Sequence, residues 1–396
     1  MNKQLIRIFA FLPFLLAIAF AVKIYLDRLD GDSNTHFLHP PTDAPITKRM
    51  DGVANIQVAL LLDISGSMDG LIDQAKSQLW QIVNELGEAK YRDTDPNLEI
   101  SLYIYGGDDL DAREGYVKQM TPLTTDLDLI SEKLFELTTN GGEEYCGKVI
   151  ETSLLELDWT KKAEDLRLIF IAGNEPFSQG PVLYKQACNA ALQQDIIVNT
   201  IFCGDYAEGV STQWKEGAEA GGGQYLNIDH NQELATIETP FDDEILALNT
   251  KLNGTYIAYG TRGAELSLRQ SIQDDNAGKV GKSIAVTRGI AKTKSHYMNK
   301  HWDLVDAAKE KDFELEDVRE GLGEELSKMS EEELSSFIEE KQQERDSIQE
   351  AIADLDKKRS AFIQEKKREE AEELTLDKAL VKAVRSIAEE KTYNFQ

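Results

Sequence analysis

The 396-residue chain has few basic residues for its size. Its 43 lysines and arginines stand against 71 aspartates and glutamates, which gives a formal net charge of −28. Because phosphate backbones are bound through basic patches, this balance argues against a nucleic-acid partner. A strongly acidic surface is compatible instead with divalent cations and with basic partners.

Histidine is also scarce, with 5 residues in the whole chain. The sequence contains no glycine-rich phosphate loop, no zinc-ligand pair with helical spacing and no nucleophile elbow. These absences argue against the common hydrolase and nucleotide-binding chemistries. Only three cysteines occur, without metal-type spacing, so an oxidising compartment would leave one thiol without a partner in the same chain.

The N-terminus carries the apolar run "IFAFLPFLLAIAFAV" at 8–22, flanked by Lys3 and Arg7. Its length is typical of a signal-peptide core and slightly short for a membrane span. A cleaved signal and an uncleaved anchor within 1–29 both stay open, and both predict that the rest is exported. We therefore expect a periplasmic protein, or an inner-membrane-anchored one, with a polar linker at 30–53.

From 54 to 252, apolar strands alternate with amphipathic helices, as in "IQVALLLDI" followed by "LIDQAKSQLWQIVNEL". This alternation predicts an α/β fold with a doubly wound, mostly parallel sheet covered on both faces. A shorter strand at 116–123 is predicted to lie antiparallel at the edge. In such sheets, ligands bind beyond the carboxyl ends of the strands.

The pattern changes after 252. Residues 253–323 form a connecting region that hydrophobic periodicity does not place, and 324–396 form an acidic helical tail. The spacing in this tail predicts two helices, at about 330–370 and 376–391, joined by a turn near 373–375. The second helix is expected to fold back on the first, or to dock on a partner or on 54–252. We expect the tail to leave 54–252 folded when it is deleted, and to serve as an interaction surface.

The tail also contains a weak heptad pattern that could indicate a coiled coil. Charged residues occupy core positions of that pattern, so a hairpin or a helix lying on another surface is favoured over a long coiled coil. The apolar positions are Ile348, Ile352, Leu355 and Phe362, and the charged ones are Lys341, Arg345 and Arg359.

The segment "LLLDISGSMDG" at 60–70 ends an apolar strand with Asp63, Ser65 and Ser67 at alternate positions. Carboxylate and hydroxyl oxygens are ligands that suit a hard cation such as Mg²⁺. The simpler interpretation is that Ser65 or Ser67 caps the helix that follows.

Aspartate-x-serine-x-serine after an apolar strand resembles the metal-ion-dependent adhesion site of von Willebrand factor A domains. The resemblance covers about 54–240 and implies a Rossmann-like fold. It also implies that Asp63, Ser65 and Ser67 hold Mg²⁺ or Mn²⁺, and that the ion recognises a partner protein rather than hydrolysing a substrate.

Two ligands that the family usually supplies are replaced in this chain. In "TTNGGEEYCG", Glu143 stands where a threonine is expected, and in "FIAGNEPF", Gly173 stands at the aspartate position. One interpretation is that Glu143 or Glu144 binds the metal directly while Asn174 or Glu175 helps through water. The other is that the site is degenerate and binds metal weakly or not at all.

The segments "NGGEEYCGKVI" and "IFIAGNEPFSQGPVLY" are similar to a bacterial exported subgroup of the family with a helical tail. Cys146 lies in the second site loop and Cys203 ends a strand on the same edge, so we expect a disulfide between them. Cys188 is then expected to be a buried free thiol.

Together these features predict an exported protein-binding module that engages an unidentified protein of the cell envelope. No catalytic residue is assigned. The alternative function is a metal-dependent enzyme or a regulatory subunit of an envelope complex.

Overall fold

A computed structural model describes residues 53–69, 72–228, 237–310, 312–369 and 376–395. The apolar segment at 1–29, nearly all of the linker and the predicted turn at 373–375 lie outside these ranges. The described residues belong to one compact unit. None of their helices is both long and apolar enough to cross a membrane.

Eight strands occur among the described residues, most of them where apolar runs predicted them. They are β1 Asn55–Asp63, β2 Ala89–Tyr91, β3 Asn97–Tyr105, β4 Val117–Thr124, β5 Leu166–Gly173, β6 Ile197–Cys203, β7 Gly222–Ile228 and β8 Tyr393–Phe395.

Six of these strands form the central sheet, in the order β4–β3–β1–β5–β6–β7. All neighbours are parallel except β3 and β4, which confirms the antiparallel edge strand. Counted along the chain within this sheet, the order is 3–2–1–4–5–6, which is the strand order of a doubly wound fold. The direction of winding reverses between β1 and β5. Asp63 ends β1 at that point, opposite Tyr105 of β3.

Strand β1 is buried along its whole length because helices cover both faces of the sheet. Successive side chains of a strand point to opposite faces. Accordingly, Leu60 and Leu62 belong to one hydrophobic cluster, whereas Leu61 belongs to the cluster on the other face.

Six helices lie between the strands of the predicted α/β region. They are α1 Ile72–Leu86, α2 Leu127–Phe135, α3 Cys146–Glu156, α4 Tyr184–Gln193, α5 Tyr206–Ser211 and α6 Trp214–Ala220.

Eight more helices lie in the C-terminal half, and four of them fall in the region that periodicity did not place. These are α7 Asp242–Asn253, α8 Gly263–Val280, α9 Lys282–Ala291, α10 Leu304–Ala307, α11 Leu315–Val318, α12 Glu324–Ser327, α13 Glu331–Glu369 and α14 Leu376–Glu390. The two predicted tail helices are confirmed as α13 and α14.

The tail packs into the same core as the sheet. Val384 and Ile387 of α14 are buried in the hydrophobic cluster that also holds Leu60. Strand β8 pairs with β2, and the Tyr393 hydroxyl donates hydrogen bonds to the backbone oxygens of Asn55 and Glu164, at 3.2 and 3.0 Å. The structure therefore docks the second tail helix on the α/β region, which is one of the arrangements that the sequence left open.

Charged side chains are buried where α13 crosses the other C-terminal helices. Arg345, only 1% exposed, donates to Asp303 and Asp306 at 2.7 and 2.8 Å. Its guanidinium carbon lies 4.2 Å from the centre of the Tyr256 ring. The charged residue that interrupted the heptad pattern thus occupies a buried ion-pair position, which explains why α13 packs as a single helix on this surface.

A second buried group of ion pairs joins α2, α8 and α9. Arg288 donates to Asp128 and Asp274, at 2.5 and 2.7 Å, and Lys292 donates to Asp274 at 2.8 Å. Burial raises the pKa of Asp274, but Lys292 and Arg288 outweigh it and hold that pKa below its ordinary value. We call these pairs, together with those of Arg345, the helical ion network.

Candidate functional site

The candidate site lies at the carboxyl end of β1, where the chain turns out of the sheet. The backbone amide of Ile64 donates to Tyr105 oxygen at 2.9 Å, and that of Asn140 donates to Ile64 oxygen at the same distance. A short 3-10 turn at Gly66–Met68 follows. These bonds hold Ser65 against the loop around Asn140. Ser65 and Asn140 form an isolated parallel β-bridge.

Asp63 is 1% exposed, and its two carboxylate oxygens have different surroundings. Oδ1 accepts a hydrogen bond from the Ser65 backbone amide at 2.7 Å. Oδ2 is buried and has no hydrogen-bond partner among the described residues. A buried carboxylate oxygen without a partner is costly, so a proton or a cation at this atom would be favoured.

The pKa of Asp63 is raised to about 7, mainly by burial; the charges of Glu144 and Glu175 act in the same direction, and the hydrogen bonds from Ser65 oppose the shift. Burial likewise raises the pKa of Glu144 to about 7, with Glu175 and Glu143 acting in the same direction. No lysine or arginine in the described ranges forms an ion pair with Asp63, Glu144 or Glu175.

The two serine hydroxyls lie beside each other, with 2.9 Å between their Oγ atoms. The Ser67 hydroxyl donates to Asn174 Oδ1 at 2.9 Å, and the Asn174 amide donates back to the Ser67 backbone oxygen at 3.0 Å. Ser65 stands at the start of the 3-10 turn, yet its side chain makes no capping hydrogen bond. The geometry therefore does not support capping as the function of Ser65.

The structure distinguishes the two glutamates of the second loop. Glu144 is 8% exposed, whereas Glu143 is exposed. Both Asp63 and Glu144 lie against Gly106, since a Cβ at that position would be 2.8 Å from Asp63 Oδ1 and 3.1 Å from Glu144 Cγ. Gly106 also has a φ of +82°, which favours glycine.

The surroundings of Gly173 leave no room for the aspartate that the family pattern has at this position. A Cβ here would lie 2.5 Å from the Tyr105 hydroxyl and 3.0 Å from Asp63 Oδ2. Tyr105 is held in place because it donates to Ala172 oxygen at 3.0 Å. A larger side chain at 173 would therefore have to displace Tyr105.

Of the residues predicted from sequence, the structure brings together Asp63, Ser65, Ser67, Glu144 and Asn174. Glu175 is half-buried nearby, with its backbone oxygen accepting from Trp214 Nε1 at 2.7 Å. Glu143 is at the surface rather than in the site.

Sequence reasoning missed Asn140, which orders the loop after β3. Its side-chain oxygen accepts from the Asp108 amide at 2.9 Å, and its side-chain nitrogen donates to Asp109 at 2.8 Å. The sequence signal for this role was an asparagine directly before the Gly141–Gly142 pair, because asparagine side chains commonly form hydrogen bonds with the backbone of a turn.

The predicted disulfide between Cys146 and Cys203 is wrong: all three cysteines are free and buried. Cys146 and Cys203 share an edge of the sheet but lie in hydrophobic clusters on its opposite faces. Cys146 contacts the Tyr105 hydroxyl instead, at 3.6 Å. Cys188 is confirmed as a buried free thiol, and burial raises its pKa to about 12.

Within the described residues, no group of three or more histidine, cysteine, aspartate or glutamate side chains is arranged to hold a metal ion. A cation at this edge would therefore depend on the serine hydroxyls together with Asp63 and Glu144. That donor set consists only of oxygen atoms and fits Mg²⁺ or Mn²⁺. The buried Oδ2 of Asp63 supplies the matching unmet charge.

No family model and no curated protein matches the chain. Solved structures with a similar fold include the conserved hypothetical protein BatB from Bacteroides thetaiotaomicron, with 19% identity over 44% of this chain and 91% of that one. They also include the SpRpn10 VWA domain, with 13% identity over 46% and 92%. A third is proximal thread matrix protein 1 from the mussel byssus with a zinc-occupied MIDAS motif, with 12% identity over 47% and 44%.

Each of these three structures has a TM-score of 0.34. We therefore base the assignment on the strand order and on the position of Asp63, Ser65 and Ser67 at the switch point. The chain has a von Willebrand factor A fold, as the sequence resemblance implied. Membership of the exported subgroup stays a prediction.

Proposed function

We propose that this chain is an exported protein-binding module whose sheet edge binds Mg²⁺ or Mn²⁺ and engages another protein of the cell envelope. The observation that carries the proposal is the buried Oδ2 of Asp63, which lacks a partner among the described residues at the ligand-binding edge of the sheet.

Each site residue has a separate role in the proposed cation site. Asp63 supplies a buried carboxylate, Ser65 and Ser67 supply neighbouring hydroxyls, and Glu144 supplies a second carboxylate. Asn174 positions Ser67 through two hydrogen bonds. A bound divalent ion supplies an electrophilic position for an oxygen atom of the partner.

The alternative, a metal-dependent enzyme or regulatory subunit, is favoured by no observation on the described residues. A hydrolase would need a general base beside the reacting group. His296 packs against Gly87, and His301 lies 4.0 Å from Asp126, so both belong to other parts of the fold.

The export component depends on the apolar run at 8–22, which lies outside the described residues. A periplasm-active reporter fused to the C-terminus should be active, and a cytoplasm-only reporter should be silent. The reverse pattern would refute export and leave the metal proposal untouched.

Thermal melting tests the metal component. A ligand that binds only the folded state stabilises it by about 2.7 kcal/mol at a hundredfold excess over Kd, so Mg²⁺ or Mn²⁺ should raise the melting temperature relative to EDTA. Asp63→Asn, which keeps an acceptor for the Ser65 amide, should abolish the rise. The matched control Asp354→Asn changes an exposed carboxylate of α13 and should keep it. Identical curves with metal and with EDTA would refute metal binding.

A further inference from the structure

The loops that surround the candidate site carry almost no positive charge. We define these edge loops as 64–69, 106–116, 138–145, 174–183 and 204–213. They contain ten acidic residues and one basic residue, Arg113. Arg113 is already bonded to Asp111, at 2.6 Å. The other exposed aspartates and glutamates of these loops are Asp69, Asp108, Asp109, Glu114, Glu143, Asp205 and Glu208.

This composition sets the edge loops apart from the other acidic part of the chain. Residues 301–396 are also acidic, with 28 acids, but they contain 16 bases that can pair with them. Exposed pairs such as Lys328 with Glu324 and Lys357 with Asp354 neutralise that surface locally. The edge loops have no comparable supply of lysine or arginine.

A second, independent observation is a buried carboxylate oxygen at this edge whose negative charge has no partner among the described residues. Asp63 is 1% exposed, and its Oδ2 lies unpartnered among the described residues, beside Gly173. A divalent cation at the site would be neutralised by the carboxylates of Asp63 and Glu144 alone. Glu175 and the exposed acids of the edge loops would then remain uncompensated.

The excess negative charge decides what kind of partner group can approach. An acidic group would meet Glu175 and Glu143 before it reached the site, and like charges brought together across an interface cost several kcal/mol. Basic groups would instead be attracted from a distance. Glu143, which stands where the family has a neutral threonine, adds to this negative charge, so the loops favour a basic partner group over an acidic one.

The edge loops also expose apolar side chains that could anchor a partner. Leu183 is 61% exposed, Tyr206 is 54% exposed and Val210 is 42% exposed. Tyrosine is enriched among the residues that dominate protein interfaces, so Tyr206 is the strongest anchor of the three, and Leu183 and Val210 add apolar contact area around it.

We propose that the edge loops dock a basic segment of a partner protein, in which lysine or arginine side chains accompany an apolar anchor. The proposal rests on the proposed binding function of this edge, but it depends on the charge of the loops and not on an occupied metal site.

Fluorescence anisotropy with two labelled peptides tests this proposal on the full chain. The first peptide alternates lysine with glycine around one leucine, and the second carries aspartate in place of every lysine. The basic peptide should bind, and its affinity should fall as salt is added. The acidic peptide should not bind in Mg²⁺ or in EDTA. Mg²⁺-dependent binding of the acidic peptide would overturn the proposal.

A matched pair of triple variants locates the binding. Asp69→Asn, Glu143→Gln and Glu208→Gln together remove edge charges, and should weaken the basic peptide about fivefold, the combined size of three exposed charge pairs. Glu339→Gln, Glu340→Gln and Asp354→Asn remove three exposed charges of α13 and should have less than about half of that effect. Equal weakening by both variants would mean attraction to the net charge alone and would overturn the proposal.

A metal titration on the same samples separates this inference from the proposed function. Edge-specific binding of the basic peptide without any metal binding would refute the metal component and support the basic partner. Metal binding together with binding of the acidic peptide would support the metal component and refute the basic partner.

Discussion

Two groups of buried carboxylates in this molecule have opposite surroundings. In the helical ion network, Asp274 is paired with Arg288 and Lys292. At the sheet edge, Asp63 and Glu144 form no ion pair with any lysine or arginine in the described ranges, and burial together with neighbouring glutamates raises the pKa of both. A buried charge is tolerated when it is paired and costly when it is not.

The presence or absence of paired lysine and arginine side chains distinguishes the two groups of carboxylates. The helical ion network carries its own cations and holds helices together without a ligand. No lysine or arginine among the described residues pairs with Asp63 or Glu144 at the sheet edge, and the pKa values of these carboxyls are raised instead. This contrast is the physical basis for the proposal that the edge binds a cation.

The largest expected effect comes from removing part of the helical layer. Deleting 376–396 removes Val384, Ile387 and Tyr393 from the core, at about 1.5–3 kcal/mol for each buried side chain. Their sum is comparable with the total stability of a domain, about 5–15 kcal/mol. We expect the truncated protein to lose its cooperative melt in circular dichroism.

The control for this deletion keeps α14 and changes only its surface, through Glu389→Ala and Glu390→Ala, both at exposed positions. That variant should melt as the wild type does. A cooperative melt of the truncated protein at the wild-type temperature would show that the tail is separable, as the sequence analysis expected.

Breaking the helical ion network should give the next largest effect. Arg345→Met leaves Asp303 and Asp306 buried without their cation, which typically costs about 3–5 kcal/mol. Urea unfolding should show this loss as a lower midpoint. Lys357→Met, at an exposed position of the same helix, serves as the control and should leave the midpoint unchanged. A small effect of Arg345→Met would mean that the network contributes little to stability.

The dependence of stability on pH should have opposite signs in the two groups. The folded-state pKa of Asp63 is raised to about 7, so its contribution is fully present below about pH 4 and is lost as the pH rises through 7. The pKa of Asp274 is lowered, so its contribution is present above about pH 4 and is lost in acid.

In EDTA, wild type should therefore lose stability relative to Asp63→Asn between about pH 5 and 7.5, by at most about 1.4 kcal/mol for each pH unit. The cost of Asp274→Asn should instead shrink as the pH falls below about 4. Urea unfolding at a series of pH values measures both. Parallel stability curves for wild type and Asp63→Asn would contradict the raised pKa.

Much of the fold was predictable because its strands are local apolar runs. Strand β1 is apolar from Val58 to Leu62, and its burial on both faces follows from that run. Helix α8 was missed because it buries Gln270 and Gln273, whose polar side chains give no hydrophobic period. The surface on which α14 docks was left open because Ile387 packs against residues hundreds of positions away in the chain.

The site shows the same division between local and distant information. Asp63, Ser65 and Ser67 form one short motif and were found directly. The choice between Glu143 and Glu144 depends on how the Gly141–Gly142 turn places the loop against Gly106, which spacing does not show. The predicted Cys146–Cys203 disulfide failed because two residues at one sheet edge can lie on opposite faces.

Calorimetric titration of Mn²⁺ and Mg²⁺ into two neighbouring variants tests the central claim most directly, since Glu143 and Glu144 differ mainly in burial. Wild type should bind one ion with all-oxygen coordination. Glu144→Gln should weaken binding at least about tenfold, the loss of about 1.4 kcal/mol, because it removes a charged ligand. Glu143→Gln should bind as the wild type does. Absence of binding to the wild type, or equal losses in the two variants, would contradict the account.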